Sequence, residues 1–171
     1  MDLSELQRGQ PGLTTEAGAF LAQAGAVCLE SQGHRSGGLL TVIGTLGEFT
    51  EELIWKPATA QTRRTWNDLA EATEYGAVAI AILLLRQRTE HAVLKRARKG
   101  TGFDYWLGPP ARHPFQHMAR LEVSGLLRGS AGAVRTRMRR KLEQTKLSAR
   151  TLPAYVVVVE FSRPLCAVEQ T

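Results

Sequence analysis

The sequence predicts an α/β domain in which helices pack against a sheet. Three observations carry this. Residues 59–162 read as helix, strand, strand, strand, helix, strand, an order that suits a sheet with a helical crossover. Ala154–Phe161 is an almost pure valine run between Pro153 and Pro164, as expected of a strand buried on both faces. The chain has 171 residues, 43% hydrophobic and 22% charged. This ordinary globular composition excludes a disordered, collagen-like or coiled-coil chain. Such a length buries roughly 70% of the surface exposed when unfolded. One domain is expected over 1–171, with an N-terminal elaboration (1–58) on a core (59–171).

Residues 1–13 read as a loose leader, with Gly9, Pro11 and Gly12 as breakers. Thr14 or Thr15 can cap a helix running to about Ser31, with Phe20, Leu21, Ala24, Val27, Cys28 and Leu29 as apolar residues and Gly33 as its stop. A hairpin follows: Leu39–Thr45, a turn at Leu46-Gly47-Glu48, and a return over Phe49–Trp55. The next helix is predicted from Thr59 to Arg86. Trp66, Leu69, Thr73, Ala77, Ile80 and Leu84 follow the spacing of one buried face. Beyond Ala77 this helix is apolar nearly all round and should be central.

His91–Leu94 reads as a short strand and Lys99-Gly100-Thr101-Gly102 as a turn. In Phe103–Leu107 the side chains alternate: Phe103, Tyr105 and Leu107 on one face, Asp104 and Trp106 on the other. Gly108-Pro109-Pro110 breaks that strand. His117–Ser124 is the next, with Arg120, Glu122 and Ser124 sharing a face. A basic helix then runs to about Leu147 on a narrow stripe of Val134, Met138 and Leu142.

The longest apolar run, Ala77–Leu85, is nine residues, against about 20 for a membrane helix. The N-terminus lacks the basic flank and apolar stretch of a secretory signal. Cys28 and Cys166 stand in apolar contexts without metal-ligand spacing, as buried thiols of a cytoplasmic protein would. His113 and His117 are four apart, but Pro114 argues against a helical zinc pair. No P-loop, dinucleotide fingerprint or Gly-x-Ser-x-Gly elbow is present.

Charge is focused. Arg135, Arg137, Arg139, Arg140, Lys141, Lys146 and Arg150 lie with one acid, Glu143, between Ser130 and Arg150. That segment holds the whole net charge of +6. It is either the footprint of a polyanion partner or a solvated helix face. Residues 135–146 would grip a nucleic-acid backbone without reading sequence. Trp106, on the Asp104 face, is the aromatic best placed to stack on a base.

Metal-assisted phosphodiester cleavage needs carboxylates converging on a divalent cation, and hard oxygen ligands suit Mg²⁺ or Mn²⁺. Glu74, Asp104 and Glu122 are the candidate ligands. Asp104 and Glu122 stand among apolar neighbours, where an acid faces a solvent cleft or needs a partner.

The arrangement resembles the PD-(D/E)XK superfamily of restriction-endonuclease-like nucleases. The resemblance rests on Asp104 in Gly102-Phe103-Asp104-Tyr105-Trp106-Leu107, Glu122 in Arg120-Leu121-Glu122-Val123-Ser124-Gly125, and Glu74 in Glu74-Tyr75-Gly76-Ala77-Val78-Ala79. It covers about residues 66–162. It implies metal-dependent nucleic-acid cleavage, with Glu74, Asp104 and Glu122 holding the metal. By analogy it also implies work within a larger prokaryotic defence or mobile-element assembly, with partner subunits or a second copy of the chain. One departure matters. The superfamily's lysine falls at Ser124, which carries no charge. Arg120, Lys99 or Lys141 could supply it. Otherwise the chain is an inactive member that binds nucleic acid or scaffolds partner proteins.

Overall fold

The computed structural model describes residues 1–111, 114–146 and 152–171. Helix α1 spans Thr15–Ser31. The hairpin is β1, Gly38–Gly44, and β2, Phe49–Leu53. Helix α2 is Ala60–Thr65 and α3 is Leu69–Arg88. Strands β3, Ala92–Arg96, β4, Tyr105–Gly108, and β5, Ala119–Leu126, follow. Helix α4, Ala131–Lys146, leads to β6, Ala154–Glu160, and β7, Leu165–Gln170. The expected order of helix, three strands, helix and strand is thus present as α3, β3, β4, β5, α4, β6.

All seven strands form one mixed sheet in the order β2-β1-β7-β6-β5-β4-β3. The pairs β5–β6 and β1–β7 are parallel and the others antiparallel. Helices α1 and α3 lie on one face, over a large core containing Tyr105, Leu121, Val157, Val159, Cys166 and Val168. Helix α4 packs on the other face, over β5, β6 and β7, with Val134 and Met138 against Val156, Val158 and Ala167. The alternating valines of β6 therefore serve two cores, which is why all seven residues of that strand are buried.

Three elements differ from the sequence expectation. The predicted leader is a structured cover. Leu3–Arg8 forms a 3-10 turn capped by Asp2, and Leu3 and Leu6 are buried against α1 and α3. Met1 and Leu3 also exchange backbone bonds with Ile54. The helix predicted over 59–86 is two helices. Its chain breaks at Trp66-Asn67-Asp68, and the Asp68 carboxylate caps α3 by accepting from the backbone of Ala70 at 2.8 Å, a strong initiation signal. Strand β7 was not expected. It joins the N-terminal hairpin to β6, so residues 38–53 extend the same sheet as the core.

The remaining elements follow the sequence. Thr14 caps α1, and Ala77–Leu85 is buried on every side. Helices α1 and α3 cross where two glycines meet. A Cβ on Gly76 would stand 3.0 Å from the Gly25 Cα and 3.1 Å from the Phe161 ring. Near the N-terminal end of α3, a Cβ on Gly125 would lie 2.4 Å from the Thr73 carbonyl oxygen. Glycine at 125 therefore lets β5 and α3 approach beside the acidic residues. Both cysteines are buried free thiols. Burial raises Cys28 to about 11 and Cys166 to about 12. Among the described residues, no helix is long and apolar enough to cross a membrane.

A candidate charged cleft at the ends of β4 and β5

The three predicted acids come from the expected elements: Glu74 from α3, Asp104 from the entry to β4, and Glu122 from β5. Glu74 and Asp104 line a cleft of about 240 Å³ together with Tyr75, Arg96, Ser124, Arg137 and Lys141. Glu122 lies one layer further in, 2% exposed. Its Oε1 accepts from Lys141 Nζ at 2.5 Å and from Gln144 Nε2 at 3.2 Å.

Strand β5 presents Arg120, Glu122 and Ser124 to α4, and α4 answers in antiparallel order. Arg137 Nη1 donates to Ser124 Oγ at 2.8 Å. Lys141 and Gln144 reach Glu122. Arg120 donates from Nη1 to the Thr145 carbonyl at 2.9 Å. Arg137, Lys141 and Gln144 are spaced by four and three, so one helical face carries all three.

Asp104 is fixed by its backbone. Its N–H donates to the Leu121 carbonyl at 2.8 Å, and its Oδ2 accepts from the Val123 N–H at 2.8 Å. Burial raises the Asp104 pKa. The Val123 N–H and the charges of Lys141 and Arg96 oppose the rise, while the Glu74 charge adds to it. Burial also raises Glu122, reinforced by the Asp104 charge and opposed by Lys141 and Gln144. Two neighbouring carboxylates whose ionised forms are disfavoured suit an added cation.

Among the described residues, no three acidic, histidine or cysteine side chains gather closely enough to hold a metal. Glu74 is exposed on the rim and does not complete a three-acid cage. Asp104 and Glu122 remain a fitting pair, because magnesium is commonly held by one or two carboxylates plus waters and substrate phosphate. Among the described residues, Asp104 Oδ1 and Glu122 Oε2 make no hydrogen bond, so each acid keeps an oxygen for that purpose.

Of the cations weighed to replace the missing lysine, Lys141 is in the cleft. Arg120 is not. It is 3% exposed, and its guanidinium is committed to the carbonyls of Thr145 and Leu152, with Nη2 to Leu152 at 2.7 Å. It shares the strand face of Glu122, but lies opposite the last turn of α4, where its guanidinium donates to the Thr145 carbonyl. Lys99 is exposed in the turn before β4.

The basic helix divides. Arg137 and Lys141 face the cleft. Arg135 and Arg139 line a groove on the other side of α4, and Arg140 and Lys146 are exposed. Arg150 and His113 lie outside the described residues, as does Leu147, the predicted end of the helix.

Trp106 is not a cleft residue. His117 stacks on it, with ring centroids 4.6 Å apart and a 12° interplanar angle, and Phe103 packs edge-on at 4.6 Å. The aromatic that lines the cleft is Tyr75, braced by Phe20 and Trp66 at 5.4 and 5.6 Å. Arg96 was also missed as a cleft cation. A bulge between Val93 and Lys95 breaks the alternation of β3, so the face of Arg96 does not follow from the sequence pattern.

No family model matches the chain, and neither curated proteins nor solved structures give a match.

Proposed function

We propose that the cleft is a metal-dependent phosphodiester-cleaving site whose lysine comes from helix α4 rather than from β5. The observation that carries this is Lys141 Nζ, 2.5 Å from Glu122 Oε1, in the same cleft as Asp104. The reading is supported by the order α3, β3, β4, β5, α4, β6, by helices on opposite sheet faces and by parallel β5–β6 pairing, all features of a restriction-endonuclease-like core.

Asp104 and Glu122 would hold Mg²⁺ or Mn²⁺, which when bound polarises a phosphate and lowers the pKa of an attacking water. The protein's own contribution is electrostatic. Arg96 and Arg137 draw a phosphate into the cleft. Lys141 stabilises charge developing on the phosphoryl oxygens. Ser124 orients Arg137 by accepting its Nη1 hydrogen bond. Buried Asp104 and Glu122 are kept in register by the Val123 N–H and by Gln144.

The test is cleavage of labelled single- and double-stranded DNA and RNA with Mg²⁺ or Mn²⁺. Wild type should cut, and Asp104→Ala and Glu122→Ala should lose at least about a hundredfold in rate, as loss of metal-holding or charge-stabilising groups does. One observation favours a second reading. Glu122 is already neutralised by Lys141, as in a site that binds nucleic acid without cutting it. Salt-sensitive binding that weakens in Arg137→Ala and Lys141→Ala, without metal-dependent cutting, would establish that reading instead.

A further inference from the structure

Helix α4 covers only part of its sheet face. Between α4 and the strands β1 and β7 runs an open groove of about 400 Å³ with an apolar floor of Ile43, Val134, Met138, Leu142 and Ala167. On β1, Leu39, Thr41 and Ile43 alternate onto this face, and Leu39 is 63% exposed. Among the described residues, the first strands of the sheet therefore have no helix on this side, although α1 and α3 pack on the other.

The rims of the groove carry opposite charge. Arg135 and Arg139 stand on the α4 rim, and Glu48 and Glu169 on the strand rim. Among the described residues, Arg135, Arg139 and Glu48 form no ion pair, and Glu169 accepts only from the Thr45 hydroxyl, at 3.2 Å. An apolar strip between a row of unpaired cations and a row of anions is self-complementary. A two-fold axis along the groove sets each arginine pair opposite the glutamate pair of a second copy. An axis across the groove would set arginine against arginine. The charges therefore select one isologous arrangement.

We infer that this groove is the interface of a homodimer, in which a second copy of the chain covers the bare face of β1 and β7 and the two rims pair reciprocally. This assignment is independent of the cleavage reading, because the cleft residues Arg137 and Lys141 point to the other side of α4.

The test is sedimentation equilibrium across micromolar concentrations at low and moderate salt, with circular dichroism to verify folding. Four samples decide it: wild type, Arg135→Glu/Arg139→Glu, Glu48→Lys/Glu169→Lys, and an equimolar mixture of the two variants. Wild type should show twice the 18.8 kDa chain mass. Each variant alone sets like charges opposed across both rims, and its dissociation constant should rise at least about tenfold. The mixture should regain the two-chain mass, because both rims are then again opposite in sign. A wild type that stays a single chain overturns the inference, as does a dimer indifferent to either reversal or a folded mixture that does not reassociate. A single-chain wild type whose DNA affinity falls on Arg135→Glu/Arg139→Glu would assign the helix rim to nucleic acid instead.

Discussion

Replacing Lys141 by methionine keeps most of the side-chain volume and removes the ammonium from Glu122. The Glu122 side chain is 3% exposed and that of Lys141 21%, so the pair is largely desolvated. Removing one partner of such a pair leaves a buried charge uncompensated, which costs about 3–5 kcal/mol. Gln144 still donates to Glu122 and Lys141 is partly wet, so the lower end applies, about 3 kcal/mol. For a chain of this length that is about 6–12 °C in Tm.

Glu122→Gln leaves a lysine that can turn to water, and should change stability by less than about 1 kcal/mol. The double variant should sit near Glu122→Gln, giving a coupling of about 3 kcal/mol. The pH dependence has a definite sign. Without Lys141, the raised pKa of Glu122 lies still further above its unfolded value. The stability tied to the protonated acid is then complete below about pH 4 and lost as pH rises through the folded pKa. The Lys141→Met deficit should therefore shrink on acidification. Thermal and denaturant melts of the three variants between pH 5 and 8 read all of this. An additive cycle, or a Lys141→Met deficit below about 1 kcal/mol at pH 7, would refute a desolvated pair.

Other outcomes follow from particular contacts. Asp104→Asn keeps an acceptor for the Val123 N–H but removes a buried charge. It should abolish cleavage and raise Tm at pH 7, with the gain shrinking as pH falls and wild-type Asp104, whose pKa burial raises, takes up its proton; a lower Tm would contradict the burial effect at this acid. Arg120→Ala should cost about 1–3 kcal/mol by removing the donors to the Thr145 and Leu152 carbonyls, while cleavage per folded molecule, measured against active-site titre, stays near wild type. Gly76→Val should lower stability by about 1–3 kcal/mol through overpacking against Gly25 and Phe161, read by chemical denaturation. Cys28 and Cys166 should be inert to a thiol reagent at pH 8 in the native protein and both react after unfolding, because only the thiolate attacks and burial suppresses it.

Much of the frame was legible in the sequence because it rests on local signals. The Thr14 cap, the valine run of β6 and the alternation of Phe103, Tyr105 and Leu107 each name an element without help from its neighbours. Strand β7 was not legible, since Leu165-Cys166-Ala167-Val168-Glu169-Gln170 carries little strand propensity. Its conformation is imposed by pairing with β1 on one side and β6 on the other. The break before α3 was marked by Asp68, an N-cap residue hidden inside an apparently continuous helical pattern. The cover formed by residues 3–8 was marked by Asp2 and by Leu3 and Leu6 three apart.

In the candidate site, sequence named the acids and a set of cations that could serve them. The phase of α4 against β5 decided among the cations. Arg137, Lys141 and Gln144 share a face visible in the spacing, but only packing directs that face to Ser124 and Glu122. Arg120 was misassigned for the complementary reason. Its strand face was read correctly, but the helix end it serves could not be located from spacing alone.

Relocating the lysine asks whether the ammonium beside Glu122 is what the cleft needs for cleavage. Metal-dependent cleavage should be measured for wild type, Lys141→Ala, and Lys141→Ala combined with Ser124→Lys, which returns the ammonium to the strand position beside Glu122. Lys141→Ala should lose at least about a hundredfold, and the double variant should recover a measurable part of that loss. Cleavage by Lys141→Ala at the wild-type rate, or no metal-dependent cleavage by wild type on any nucleic acid, would contradict it.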